Sequence, residues 1–336
     1  MSEAERLDRF MARAAAAYYA GREPFGARGD FTTAPEMSQA FGECLGLWAA
    51  VVWQGMGAPG PVHLVECGPG RGTLMADALR GIATALPPFR AALQVHLVEA
   101  SPGLRAVQAA TLGEGVAEWH DSLDSLPPGP AIILGNEFLD ALPIRQFVRR
   151  GAGWAERFVR DGVFIEQPAE NPPPLPQGAP EGAVQEWNEA GEAFIHALAA
   201  RLVAQGGAAL FLDYGPAESG PGDSLQALAN HRAADPLSEP GSVDITAHVD
   251  FAALARAARA AGVAAHGPVP QGIFLQSLGL VTRAAMLARA APHSAGMQLS
   301  AAQRLIAPEG MGRLFKALAV THPALPAPPG FEVTAA

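Results

Sequence analysis

A buried strand that runs into a glycine turn constrains this chain most. The segment Val62-His63-Leu64-Val65-Glu66-Cys67-Gly68-Pro69-Gly70-Arg71-Gly72-Thr73-Leu74 joins an apolar run, a carboxylate, three glycines at Gly-x-Gly-x-Gly spacing and the start of a helix. Glycine lets the backbone turn sharply and come close to a nucleotide-like ligand. A dinucleotide fingerprint places its third glycine one position later, where this chain has Thr73. That difference moves the expectation from a pyrophosphate cofactor to S-adenosyl-L-methionine (SAM). SAM has no phosphate, so a positive helix end alone does little for it. A carboxylate near its amino-acid or ribose groups does more, and Glu66 stands two residues before Gly68. The same kind of turn also serves as a plain strand-to-helix connection, so its meaning depends on the rest of the chain.

The rest of the chain alternates. Residues 74–85 and 102–112 have helical patterning, and 94–98, 117–120 and 131–134 are short apolar runs. Strands that alternate with helices predict a parallel sheet with crossover helices. Before the turn, residues 4–19 and 37–54 predict helices, the second with Phe41, Leu45, Trp48 and Val52 on one face. After residue 145 the rhythm changes. Residues 146–149, 154–160 and 163–167 predict a small antiparallel meander, followed by a proline-rich loop over 168–180. A helix over 183–204, a strand over 208–213 and a Gly/Pro/Asp-rich insertion over 216–247 come next. Helices over 249–261, 282–290, 300–306 and 310–315 and a strand over 318–321 complete the pattern. This divides the chain into a helical lid segment, 1–55, and a ligand-binding core, 56–336, with insertions at about 146–182 and 216–247. The inserted pieces are expected to cover one face of a single core.

Composition narrows the function. With a net charge of −10, the chain lacks the basic footprint of a nucleic-acid binder. Its two cysteines, Cys44 and Cys67, make neither a disulfide framework nor a metal-ligand spacing. No apolar run is long enough to span a membrane, and the acidic N-terminus lacks the features of a signal peptide or a clear transit peptide. The cytoplasm is the expected setting, or the mitochondrial matrix if the chain is organellar.

Ligands of open α/β sheets bind beyond the carboxyl ends of the strands. Four polar groups fall at such ends: Glu66, Glu99, Asn136-Glu137 and Asp213. Glu99 follows Gly72 by 27 residues, somewhat more than the roughly 20 of a dinucleotide fold. A carboxylate there can accept from both ribose hydroxyls, or it can cap the helix after Pro102. Gly135-Asn136-Glu137-Phe138-Leu139-Asp140-Ala141-Leu142-Pro143 offers an amide and two carboxylates. Carboxylates suit a guanidinium, whose forked donors they can hold and whose proton they can accept. Capping of a short helix is the alternative for this loop, and Asp213-Tyr214-Gly215 either floors the pocket or is a plain turn. His231, Asp235, Asp244, His248 and Asp250 match no metal motif, so no metal is expected.

Longer motifs in order carry a resemblance. Gly29-Asp30-Phe31-Thr32-Thr33-Ala34-Pro35-Glu36-Met37-Ser38, Glu66-Cys67-Gly68-Pro69-Gly70-Arg71-Gly72-Thr73-Leu74-Met75 and Leu97-Val98-Glu99-Ala100-Ser101-Pro102 resemble the MidA-like family of SAM-dependent methyltransferases. Asn136 to Pro143, Asp213-Tyr214-Gly215, His248-Val249-Asp250-Phe251 and Met311-Gly312-Arg313-Leu314-Phe315-Lys316 continue the match, which spans about residues 25 to 320. The chain departs from the family in its short alanine-rich segment before Gly26, and in Cys67 and Leu139, where an aliphatic and an aromatic residue are more usual.

The resemblance implies an α/β class I methyltransferase (Rossmann-like) sheet and protein arginine N-methylation. The family includes a mitochondrial complex I assembly methyltransferase, so a complex I subunit is an implied partner. Carried over by motif, Glu66, Gly68, Gly70, Gly72 and Thr73 would hold SAM, Glu99 its ribose, and the loop from Asp30 to Glu36, with Thr33, would cover it. The chemistry of the residues assigns catalysis to Glu137 and Asp140, with Asn136 beside them. Two other classes stay open. One is an assembly factor that binds SAM only as a structural ligand and docks a partner on the meander around Trp154 or the insertion around His231. The other is a nicotinamide oxidoreductase, which the glycine spacing disfavours.

Overall fold

The computed structural model describes residues 3–21, 33–169, 171–229 and 232–332. In chain order its strands are β1 (Glu5–Arg6), β2 (Val62–Cys67), β3 (Leu93–Val98), β4 (Glu118–His120), β5 (Ala131–Asn136), β6 (Arg145–Arg150), β7 (Gly153–Arg160), β8 (Val163–Pro168), β9 (Val184–Trp187), β10 (Gly207–Tyr214), β11 (Gln226–Ala229), β12 (Arg232–Ala234), β13 (Asp244–Thr246), β14 (Ala264–Pro270) and β15 (Phe315–Thr321). Its helices are α1 (Leu7–Gly21), α2 (Ala34–Met37), α3 (Gln39–Gly55), α4 (Thr73–Ala85), α5 (Pro87–Ala92), α6 (Pro102–Leu112), α7 (Glu189–Gln205), α8 (Phe251–Ala260), α9 (Gln271–Ser277), α10 (Leu280–Ala290) and α11 (Ala295–Ile306).

The main sheet runs in the order β14-β15-β10-β5-β2-β3-β4. Strands β2, β3, β4, β5 and β10 are parallel. β15 is antiparallel to both β10 and β14, so the sheet is mixed rather than wholly parallel. β2 and β5 are buried along their whole length, as expected of parallel strands covered on both faces. On one face Phe41, Leu45 and Trp48 of α3 pack with Leu74 and Ile82 of α4 and Leu305 of α11. On the other, Ile195, Leu198 and Leu202 of α7 meet Phe251 and Leu254 of α8. The strand order reverses direction between β2 and β5, and the crevice at such a switch point is where doubly wound sheets bind ligands.

The segments outside this sheet form their own structure. β1, β7, β6 and β9 make an antiparallel sheet, with β8 paired to β7. Its buried Arg145 donates to both carboxylate oxygens of Glu156 at 2.6 and 2.8 Å. β12, β11 and β13 make a third sheet. Leu7, Phe10 and Met11 of α1, with Ile144, Val159, Val243 and Ile245, form a third core. The insertions therefore do not simply cover one face of the main sheet.

Several local expectations are corrected. The helix expected over 37–54 is α3, which starts two residues later because Ser38 is extended (φ −145°, ψ 111°) and separates it from the short α2. α7 starts later than expected because Val184–Trp187 pairs with β6 and Asn188 caps the helix by accepting from Gly191 N. β11, β12, β13 and β14 were not anticipated. The helix expected over 310–315 gives way to β15 at Phe315. No helix among the described residues is long and apolar enough to cross a membrane.

Candidate active site

The carboxyl ends of β2, β5 and β10 open into a cavity with two lobes. The first, about 310 Å³, is lined by Glu66, Gly68, Gly70, Arg71, Thr73, Asn136, Glu137, Asp140 and Tyr214. Thr33, Pro35 and Glu36 from the chain before α3, Gln226, Asp244 and Thr246 from the insertion, and His248 just after it also line this lobe. The second, about 370 Å³, is lined by Glu99, Asp121, Ser122, Leu104, Leu123, Phe138 and Phe194. Tyr19, Gly68, Gly70, Glu137 and Ala141 line both lobes, so they stand where the two meet.

The glycine turn is shaped to leave room. Gly68 and Gly72 have φ of 64° and 81°, a region that L side chains avoid. A Cβ at Gly68 would lie 3.0 Å from the Phe138 ring. Gly72 lines neither lobe; it caps α4, and its N–H donates to Pro69 O at 2.7 Å. Thr73 faces the first lobe and donates its hydroxyl to Glu36, which ties the lid segment to the turn. The part of the expected cover from Asp30 to Thr32 lies outside the described residues.

Glu66 is 3% exposed, and its Oε2 has no hydrogen-bond partner. Burial pushes its pKa up to about 8. Asn136 Oδ1 is likewise buried and unpartnered. Buried polar atoms are nearly always paired, so two such atoms beside one cavity mark where a polar ligand belongs. At the second lobe, Glu99 accepts from Ser101 N at 2.8 Å and from Gln108 Nε2 at 3.2 Å. Ser101, not Glu99, caps α6. An aromatic and aliphatic wall with carboxylates at its rim suits a flat ring bearing hydroxyls. SAM fits these residues: a side-chain-free turn, a buried carboxylate short of partners, and a second lobe of adenosine character.

The loop after β5 brings together the three residues expected to be catalytic. Asn136 Nδ2 donates to Glu137 Oε1 at 3.2 Å, and Ala34 N of the lid segment donates to the same oxygen at 3.3 Å. Glu137 has φ of 51°, a conformation that costs a non-glycine residue about 1 kcal/mol or more. Burial first, and then the charge of Asp140, raise Glu137 to about 7. Burial raises Asp140 to about 6. Their carboxylates share a site that can hold a cation.

Asp213 shapes this loop. Its Oδ2 accepts from Phe138 N, Leu139 N and Asp140 N at 3.1, 2.8 and 3.1 Å, and its Oδ1 from Tyr214 N at 2.9 Å. Burial first, and then the charge of Asp140, raise Asp213 well above the usual carboxylate range, and its backbone donors oppose that shift only in part. Asp213 lines neither lobe, so it anchors the wall rather than flooring the pocket. Tyr214 of the Asp213-Tyr214-Gly215 motif lines the first lobe and donates to Thr246 Oγ1 at 2.6 Å. Sequence reasoning missed Tyr19, whose hydroxyl is 3.3 Å from both carboxylate oxygens of Asp244. It also missed Asp121 and Ser122, although the strand-end rule that found Glu99 applies equally to the residues after β4. His231 lies outside the described residues, and Asp250 caps α8 by accepting from Ala253 N at 2.8 Å.

Known proteins resemble the chain over most of its length. The family model described as "Putative S-adenosyl-L-methionine-dependent methyltransferase" matches residues 44–269. The "Protein arginine methyltransferase NDUFAF7 homolog, mitochondrial" of Drosophila melanogaster is 35% identical, over 94% of this chain and 80% of its own. The "Protein arginine methyltransferase NDUFAF7, mitochondrial" of Mus musculus is 35% identical, over 93% of this chain and 79% of its own. Among solved structures, a Burkholderia thailandensis protein bound to S-adenosyl-homocysteine is 30% identical with a TM-score of 0.84, covering 98% of this chain and 91% of its own. The mixed sheet, the glycine turn and these matches agree: the chain belongs to this family of S-adenosyl-L-methionine-dependent methyltransferases, with SAM as its cofactor.

Proposed function

We propose that this chain methylates an arginine side-chain nitrogen of a protein substrate. The observation that carries the reading is the pair Glu137 and Asp140, two carboxylates at the carboxyl end of β5, with Glu137 at the junction of the lobes. The adenosine part of SAM belongs in the second lobe, with Glu99 on the ribose hydroxyls. Its methionine part would lie along Gly68 and Gly70, where Glu66 would meet the amino group, Arg71 the carboxylate, and Thr33 and Thr73 would close the side, while Gly72 acts through the turn rather than by contact. When bound, SAM supplies a methyl group on a cationic sulfur, an electrophile that needs alignment more than activation.

The first lobe then receives the guanidinium. Glu137 and Asp140 accept from its forked donors and turn one nitrogen toward the junction. One carboxylate takes the proton that leaves as the nitrogen–carbon bond forms. Asn136 is a positioning residue, holding one Glu137 oxygen and leaving the other for the substrate. Tyr19, Tyr214 and Asp244 line the lobe that receives it.

The NDUFAF7 relatives are named protein arginine methyltransferases of mitochondria, which supports a protein substrate. The MidA-like resemblance adds a respiratory complex I subunit as the partner of choice, in the cytoplasm or the mitochondrial matrix. Intact-mass analysis of candidate complex I subunits after reaction with SAM tests this. Mass increments of whole methyl groups on one subunit, mapped to an arginine, are expected. Increments on lysine or on no subunit would refute the assignment.

A further inference from the structure

Away from the cavity, neighbouring strands carry a row of histidines: His63 on β2, His96 on β3 and His120 on β4. The ring centroids are 4.9 and 5.0 Å apart, and His63 and His96 are each 2% exposed. Their hydrogen bonds fix where the protons sit. His63 Nε2 is 3.1 Å from Pro128 O, which can only accept, so Nε2 carries the hydrogen. Neutral His63 then has a lone pair at Nδ1. His96 Nε2, 2.9 Å away, must donate to it, which leaves the His96 lone pair at Nδ1.

The other end gives the complementary answer. Ser125 Oγ donates to Ser122 O at 2.9 Å. Its oxygen is therefore an acceptor toward His120 Nδ1 at 3.3 Å, and that nitrogen carries a hydrogen. Neutral His120 has its lone pair at Nε2. Two imidazole lone pairs thus face each other at 2.9 Å, with Glu118 Oε2 3.8 Å from His96 Nδ1. All three ligand atoms lie within 4.8 Å of one another.

We propose that His96 Nδ1, His120 Nε2 and the Glu118 carboxylate bind a divalent transition-metal ion of the zinc class. Tetrahedral ligands about 2.1 Å from zinc stand roughly 3.4 Å apart, and the separations of 2.9 and 3.8 Å straddle that value. The second nitrogen of each ring donates to a fixed acceptor, as metal-bound histidines require. Two histidines and one carboxylate leave a fourth position for water. Glu118 is largely exposed and provides the way in. The ion staples the edge strand β4 to β3. It also steadies the segment from which Asp121 and Ser122 reach the second lobe, where Glu99 N donates to His120 O at 2.9 Å.

The test uses the full chain, stripped with a chelator and titrated with Zn²⁺ by calorimetry, and with Co²⁺ by visible absorption. One Zn²⁺ per chain and a tetrahedral Co²⁺ spectrum are expected. His120→Ala and Glu118→Gln, both at the sheet edge, should each weaken Zn²⁺ binding about tenfold or more, and His120→Ala should abolish the Co²⁺ spectrum. Absence of stoichiometric Zn²⁺ binding in the unmodified chain overturns the proposal; the two lone pairs would then be bridged by a proton. Binding unchanged in His120→Ala overturns it too, by putting the ion elsewhere.

Discussion

Asp213 and Glu66 are both carboxylates at the carboxyl ends of central strands, and both are nearly inaccessible, at 0% and 3% exposure. Asp213 has four backbone donors, whereas Glu66 has a wholly unpartnered oxygen. Burial raises both, along with Glu137 and Asp140: Asp213 goes well above the usual range, Glu66 to about 8, Glu137 to about 7 and Asp140 to about 6. What separates Asp213 is its set of backbone donors and its place outside both lobes. A satisfied buried carboxylate builds the fold, and an unsatisfied one waits for a ligand. Glu66 waits in this sense, Glu137 and Asp140 face the same lobe, and Asp213 holds the wall that presents them.

The comparison breaks most visibly at Glu137. Glu137→Gln keeps the shape but removes the charge and the proton acceptor. Turnover should fall about 10²–10⁴-fold, with SAM affinity nearly unchanged in calorimetry. Loss of SAM binding would move Glu137 to the cofactor. If the inactive variant still bound its partner and supported assembly, the role as a SAM-binding assembly factor would gain ground.

Asp213→Ala should act on the fold instead. It strands the N–H groups of Phe138, Leu139 and Asp140, and each buried donor left without a partner costs about 1–3 kcal/mol. Denaturant unfolding should show that loss. A fully stable variant would contradict the anchoring role.

Glu66→Gln should separate stability from binding. Burial lifts Glu66 from 4.5 to about 8, so the folded state favours the neutral acid. Its contribution is complete below pH about 4.5 and is lost as pH rises through about 8. The variant should therefore melt a few degrees higher than the unmodified chain above pH 8 without SAM, and equally at pH 4. Its SAM affinity should fall about tenfold. A variant that melts lower at pH 8 would show that Glu66 is already satisfied.

The smallest effect concerns pH. The guanidinium stays charged throughout, so its capture depends on ionising the pair. Both pKa values are raised, and kcat/KM should climb between pH about 6 and about 7 and then level off. A limb near pH 4 would mean that these carboxylates are not the ones titrating.

Much of the sheet was legible because its signals are local. β2 and β5 are apolar runs buried on both sides, and α6 lies between a proline and a glycine. Glu66, Glu99, Glu137 and Asp140 were legible because strand ends follow from the strands. β9, β11, β12 and β13 have only three or four residues each, too few for an alternating pattern to stand out, and β9 pairs with β6 some way back along the chain. Tyr19 and Asp244 reach the cavity from α1 and from an insertion with no local mark. The role of Asp213 could not be read either, because three of its four donors lie 73 to 75 residues away.

The most direct test of the account is the product itself. The purified chain is incubated with methyl-labelled SAM and a protein extract, and the labelled material is hydrolysed and separated. The account predicts labelled methylarginine released from protein, absent when Glu137→Gln replaces the unmodified chain. Label confined to small molecules, or to a protein residue other than arginine, would contradict it.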